Sequence, residues 1–401
     1  MFSLTGLPRP VRHAFKWDAL SAAIGGLSSG ALFPFLGVIL RRDLHASAYL
    51  IAMLGASFAL GNLFNPLMAH RIRNRPKLPH AVWPPIVGRA FFLLMPLASA
   101  APVFVAITVL GCAFGSLAAP AYAAVIRDAY PVERRGRLMG FVRGLFVGGS
   151  MLGSLCGGVA LQHIGYRWFF PIAALLGMVG VSAFSRIGVP AAPAEPAPTG
   201  ARLMDAFRVA RADRPFRLYS TAFFLYAFGN LILSPVYPVF QVDVLHISTQ
   251  WVSYLSVASA GMSMIGYLYW GRVLDRRGPF ALLLYIMVIF TLTPVTYYLA
   301  QGVPVLLIAA MAQGLALAGG DLAYVNASMR FAKRELVVSY AAVFAFLQAM
   351  RGIPGPFIGA ALSNQFGPRS VFPVTLALWV GAAAVALVGM RTAQGQADQE
   401  A

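Results

Sequence analysis

Acids, histidines and cysteines are all scarce in this chain: of 401 residues, 13 are Asp or Glu, 6 are His and 2 are Cys. Cys112 and Cys156 fall in different apolar runs without the spacing of a disulfide framework or a thiolate metal site, so they read as small packing residues. No cluster of His, Cys or carboxylate offers metal ligands, and no glycine loop follows a strand to cradle a phosphate. An ATP-driven pump is therefore excluded. No nucleophile with a positioned base can be picked out either, so neither an enzyme nor a cofactor is expected. Charge of any kind is thin: 11% of residues are charged, 59% are hydrophobic and the mean hydropathy is +0.72. One soluble core cannot bury that much apolar surface. Lipid must be the solvent.

Apolar runs of roughly 20 residues, long enough to cross a ~30 Å hydrocarbon layer as helices, recur from Trp17 to Met390. About twelve are expected, at 18–40, 48–69, 83–100, 103–126, 138–161, 167–187, 217–241, 250–271, 279–300, 303–327, 337–362 and 370–391. The net charge of +18 would suggest nucleic acid in a soluble protein, but its distribution argues otherwise. Basic residues precede the first run (Arg9, Arg12, Lys16) and fill alternate loops: Arg71 to Lys77, Arg127 to Arg137, Arg202 to Arg217, Arg272 to Arg277 and Arg330 to Arg334. By the positive-inside rule these loops and both termini are cytoplasmic in a bacterial inner membrane, and nucleic acid is not a partner. The first run is too long for a signal peptide and lacks a clear cleavage site, so it is read as retained.

The segment VPAAPAEPAPTG, Val189 to Gly200, is rich in proline and alanine and divides the chain. Residues 1–187 are expected to form an N-terminal bundle of six helices and 217–401 a C-terminal one. Between them, 188–216 is a cytoplasmic linker with a short amphipathic helix that Thr199 can cap. The halves resemble each other: LFPFLGVILRRDLHAS, Leu32 to Ser47, recurs 201 residues later as LSPVYPVFQVDVLHIS, Leu233 to Ser248. At that offset HRIRNRPK, His70 to Lys77, falls on GRVLDRRG, Gly271 to Gly278.

Gly271, Asp275, Arg276 and Gly278 resemble the G-x-x-x-D-R-x-G signature of the major facilitator superfamily, carried after its second helix and often echoed after its eighth. RDAYPVERRGRLMG, Arg127 to Gly140, is similar to the family's loop between helices four and five. Gly149, Gly153, Gly157 and Gly158 resemble its helix-five motif, with Ser154 in place of the proline, and Gly355, Pro356 and Gly359 give the version in helix eleven. The resemblance covers essentially the whole chain. It implies an all-α membrane protein of twelve transmembrane helices in two pseudo-symmetric six-helix bundles, flanking a cavity that opens alternately to either side. It also implies a cytoplasmic latch at Gly271, Asp275, Arg276 and Gly278, with Asn74, Arg75 and Arg135 in the first half. There the acidic position is Asn74 and the glycine positions are His70 and Lys77. Gly111 stands near where family antiporters carry a buried arginine, so their proton route is not implied.

Charges inside apolar runs are expensive and point to function. Arg89 and Arg143 lie about two turns from the cytoplasmic ends of their expected spans, within reach of snorkelling. Asp321 and Arg351 lie deeper, on adjacent spans, and read as a pair that a substrate or proton disrupts, or as a structural ion pair. Gln313, Tyr324, Asn326 and Gln348 surround them, Tyr226, Asn230 and Tyr237 lie on the seventh span, and Asn62, Asn65 and Tyr122 come from the first half. An apolar pocket with few polar groups suits a small amphipathic organic solute. The expectation is a monomeric secondary transporter working by alternating access, with protons as the candidate coupling ion. Export is favoured because the family associates the helix-five glycines with it. An uptake permease, or a membrane sensor or assembly subunit that moves no solute, are the competing readings.

Overall fold

The computed structural model describes residues 8–72, 75–188, 211, 213–331, 343, 346–347 and 350–400. Every regular element among them is helical. In chain order they are α1 (Arg9–Arg42), α2 (Ala48–Asn62), α3 (Asn65–Arg71), α4 (Lys77–Phe92), α5 (Ala101–Ser116), α6 (Ala119–Ala129) and α7 (Val132–Phe184). Then follow α8 (Arg214–Leu233), α9 (Val236–Asp243), α10 (Thr249–Leu299), α11 (Leu306–Phe331), α12 (Pro354–Phe366) and α13 (Val371–Glu400). The expected short helix after Thr199 lies outside the described residues.

Among the described residues, nine helices or helix pairs are long and apolar enough to cross a membrane. Two of them, Glu133–Phe184 and Thr249–Leu299, are more than twice the length that needs. Each is broken by a single glycine: Gly165 has φ 69°, ψ 164° and Gly278 has φ 81°, ψ 177°. That backbone region is open essentially to glycine alone, so at both positions the chain turns back without an extended loop. The start of the expected span at 337–362 falls mostly outside the described residues; its end is seen as α12.

Helix ends run beyond the expected spans. The first starts at Arg9 rather than near residue 18, and the third at Lys77 rather than 83. A helix satisfies its own backbone inside and outside the hydrocarbon alike, so hydropathy marks where lipid ends and not where the helix ends. Proline acts unevenly: Pro34 sits within unbroken α1, whereas Pro235 caps α9 and divides the seventh span into α8 and α9.

The chain forms two compact units, Met1–Pro196 with Ile247–Val257, and Ala197–His246 with Ala258–Ala401. In the first, α7 lies against α1. A Cβ at Gly153 would stand 1.9 Å from the Leu27 carbonyl oxygen, and one at Gly149 2.3 Å from that of Ala23. The face is reciprocal, for a Cβ at Gly26 or Gly30 would strike the carbonyls of Phe146 or Ser150. Gly157 makes room for the Phe35 ring and Gly158 for Ser253. The start of α10, inside this unit, is tied to α7 by Ser253 Oγ donating to the Ser154 carbonyl (2.7 Å) and Thr249 Oγ1 to that of Gly158 (3.0 Å). In the second unit, a Cβ at Gly359 of α12 would lie 1.8 Å from the Ile232 carbonyl oxygen of α8. One at Gly355 would lie 2.8 Å from Leu231 Cβ, and Pro356 is buried beside them.

The repeat is written into the backbone. His45 and His246, the matched histidines, both adopt left-handed geometry (φ 49° and 48°). Tyr166 Oη donates to the Ala98 carbonyl (2.7 Å), while Arg369 Nη2 donates to that of Ala300 (3.1 Å), 202 positions further on. Each contact anchors the turn after Gly165 or Gly367 to the end of an earlier helix.

Because backbone oxygens cannot rotate away as side chains can, Gly153→Ala and Gly359→Ala should each cost about 1–3 kcal/mol of overpacking, read as a lower unfolding midpoint in detergent. Gly144→Ala, where a Cβ meets nothing within 4 Å, should be neutral or slightly stabilising through helix propensity. Equal losses at all three positions would rule out backbone contact as the reason for the glycines.

Candidate functional site

In the second unit, α8 carries Phe223, Tyr226 and Asn230 at helical spacing, and α11 carries Asp321 and Tyr324 three residues apart. Trp379 on α13 fixes α8 by donating Nε1 to the Tyr226 carbonyl (2.8 Å). The Tyr226 ring then packs edge-on to Phe290, with centroids 5.4 Å apart. Phe223 lies 6.0 Å from Tyr226 and 6.5 Å from Tyr324. Above the Phe223 ring, at 5.6 Å, sits the guanidinium of Arg351, three residues ahead of α12. Asp321 accepts a hydrogen bond from Tyr267 of α10 at 2.5 Å. The buried Tyr226 hydroxyl feels both charges, that of Arg351 and that of Asp321, and Gly320 leaves space beside it.

These residues thus form one charged group with aromatic walls. Tyr237 stacks 4.8 Å from Tyr297, and its buried hydroxyl has no hydrogen-bond partner among the described residues. Gln313 and Asn230 are half-buried on α11 and α8. Asn326 lies in α11, but its side chain and all of Gln348 are outside the described residues.

The first-half residues are used differently. Asn62 is exposed and accepts from Asn65 Nδ2 (3.0 Å). Tyr122 hydrogen-bonds to Asp18, a residue absent from the sequence-based site. Asp18 is 2% exposed on α1 and also accepts from Tyr130 Oη at 2.6 Å. Burial, and then the Asp18 carboxylate, push the Tyr130 phenol above its ordinary value, so it remains a donor. The signal was present as a single acid at the edge of the first apolar run, and it was hidden by placing the membrane boundary there.

Arg89 is also deeper than its sequence position implied. With α4 beginning at Lys77, it stands ~18 Å along the helix. Its Nε is buried without a partner among the described residues, in space that a Cβ at Gly177 would fill from 2.1 Å away. Packing inside the unit replaces snorkelling.

At the loop after the eighth span, Asp275 and Arg276 are exposed, Gly271 is half-buried, and Gly278 makes the turn. Arg277 donates to the Tyr285 hydroxyl and lies 5.4 Å over its ring. In the first half, Asn74 is outside the described residues and Arg75 is exposed. Arg135 Nη2 donates to the carbonyls of Arg127 (2.8 Å) and Tyr130 (3.1 Å). The ion pair there is one that the sequence reading passed over: Lys77 Nζ to Asp128 at 2.6 Å, with Arg127 at 3.5 Å from the other oxygen. Lys77 stands where the signature has glycine, which is the clue that could have found it. Among the described residues no group of His, Cys, Asp or Glu could hold a metal ion.

This architecture is shared with solved transporters. The chain is similar to a bacterial homologue of the human lysosomal transporter Spinster in an inward-facing, unoccupied conformation, at 17% identity and a TM-score of 0.72, covering 96% of this chain and 98% of that one. An occupied form of that protein gives 16% and 0.70, over 96% and 98%. The D323A mutant of the nucleoside transporter NupG gives 12% and 0.77, over 94% and 99%. No curated protein matches the sequence. The sequence itself, however, matches the Major Facilitator Superfamily over residues 19–356. With that match spanning most of the chain, and with helices paired through glycine in each half, the chain belongs to the major facilitator superfamily.

Proposed function

We propose that this protein exports a small amphipathic organic solute across the bacterial inner membrane by alternating access. Its family makes it a multi-pass integral membrane protein and a secondary transporter. The observation that carries the finer reading is the group formed by Asp321, Tyr267, Tyr226, Phe223 and Arg351, which puts opposite charges and aromatic walls together in a lipid-facing fold. Such groups are kept at that depth for binding or coupling. Residues 1–187 and 217–401 act as the two moving bundles, 188–216 as their linker, both termini are cytoplasmic and the working unit is a monomer. Protons are the proposed coupling ion, with Asp321 as the carrier.

Flux tests the reading directly. Proteoliposomes loaded with a solute that raises the unfolding midpoint of the purified protein should release it faster than protein-free vesicles. A ligand that binds and never crosses would favour a sensor or assembly subunit. A cysteine at Arg276 should be shielded from impermeant thiol reagents outside cells and one at Gly302 should react, since the two loops are assigned to opposite faces.

The latch follows from Asp275 standing among Arg272, Arg276 and Arg277. Asp275→Asn should leave folding intact and lower flux several-fold. It should also speed labelling of a cysteine on the cytoplasmic side of α10 by permeant reagents. Unchanged flux and labelling would leave the loop as a topology signal alone.

Asp321→Asn keeps an acceptor for Tyr267 and removes the charge. Stability should change by less than about 1 kcal/mol, because the hydrogen bond survives in neutral form, while coupled flux falls at least tenfold. Wild-type flux in the mutant would take Asp321 out of the mechanism.

A further inference from the structure

Arg351 makes no hydrogen bond or ion pair with any described residue; its recorded contact is with the face of the Phe223 ring. A guanidinium carries five N–H donors, and ring faces accept none of them in a normal hydrogen bond. A cation over a ring gains about 0.5–2 kcal/mol, less than donors taken out of water lose when they find no acceptor. Around it the Tyr226 and Tyr324 hydroxyls lie close enough to act electrostatically. A half-buried cation with idle donors beside phenols and an aromatic wall is an anion-binding arrangement.

We infer that the solute carries a single carboxylate on an apolar body, and that Arg351 holds this carboxylate through its paired N–H donors. This rests on the transporter reading above. The planar guanidinium fork matches the two oxygens of a carboxylate, and the exposed Tyr324 ring offers the rest of the molecule an apolar surface. A single charge fits better than two, because the one cation at the site among the described residues is Arg351 and the Asp321 carboxylate acts on the same Tyr226 hydroxyl. The first unit shows the same shortage of acceptors by itself. Arg89 is held in the space left by Gly177, and its buried Nε has no hydrogen-bond partner among the described residues. The chain thus holds Arg89 and Arg351 without anionic partners among the described residues.

The test is a thermal-shift panel on the purified full-length protein. It uses hexanoate, benzoate and 3-phenylpropionate, each with its amide and its amine, and inorganic phosphate. The carboxylates should raise the unfolding midpoint; the amides, the amines and phosphate should not. Arg351→Gln should abolish the shift. Arg351→Lys, which keeps the charge and loses the fork, should weaken binding about tenfold. Should the glutamine variant not fold, the lysine variant and the wild-type panel decide. Amides that match their acids, a carboxylate shift that survives in Arg351→Gln, or a panel in which no carboxylate outdoes its amide would each overturn the inference. Flux separates this from the wider reading. Carboxylates that bind without crossing would sink the transporter and leave the Arg351 site standing; flux of a neutral or cationic solute with no carboxylate preference would do the reverse.

Discussion

Everything in each unit depends on helices touching backbone to backbone. Where α7 meets α1, and where α12 meets α8, the separation is so small that a single methyl group would overlap a carbonyl oxygen. In lipid there is no hydrophobic gain from bringing two apolar helices together, so association rests on dispersion at close range and on small residues that permit it. The glycines of the fifth and eleventh spans are therefore packing devices before they are anything else. Each face lies inside one unit, so it keeps that unit's helices together.

Duplication explains why the constraint appears twice. The 201-residue offset of the two aligned segments reappears in the left-handed histidines, and one of 202 in the turn glycines and the anchored carbonyls. The last pair could not be deduced from side-chain identity, since Tyr166 and Arg369 are different residues doing one job. What is shared is the backbone requirement: a chain that reverses at a membrane surface must satisfy a carbonyl at the end of a neighbouring helix.

The fold was legible because lipid imposes a coarse rule, a run of apolar residues per crossing, and because positive charge sorts the loops. Boundaries were less so, as shown by Lys77, expected outside the third span and found inside its helix. That shift moved Arg89 from a snorkelling position to a buried one. The site was half legible. Asp321, Tyr226, Tyr324 and Arg351 stood out as polar groups in oily runs, and the structure brings them close. Tyr267 and Phe223 did not stand out, because an aromatic residue in a span is usually packing, and only three-dimensional proximity reveals that one donates to Asp321 and the other lies under Arg351.

Scarcity of acids makes the position of each one informative. With 13 acidic residues against 31 cationic ones, most positive charge cannot be matched by a carboxylate of the chain. The acids that do occur are placed with care: Asp128 against Lys77, Asp213 capping α8 through the Phe216 amide, Asp18 under two phenols, Asp321 under a third. In the last two, neutral hydroxyls donate to the carboxylate. A phenol keeps a carboxylate in place without cancelling its charge, whereas a salt bridge would cancel it. The acids thus differ in what meets them: Lys77 faces Asp128 with a cation, whereas Tyr122 and Tyr130 face Asp18, and Tyr267 faces Asp321, with hydroxyls.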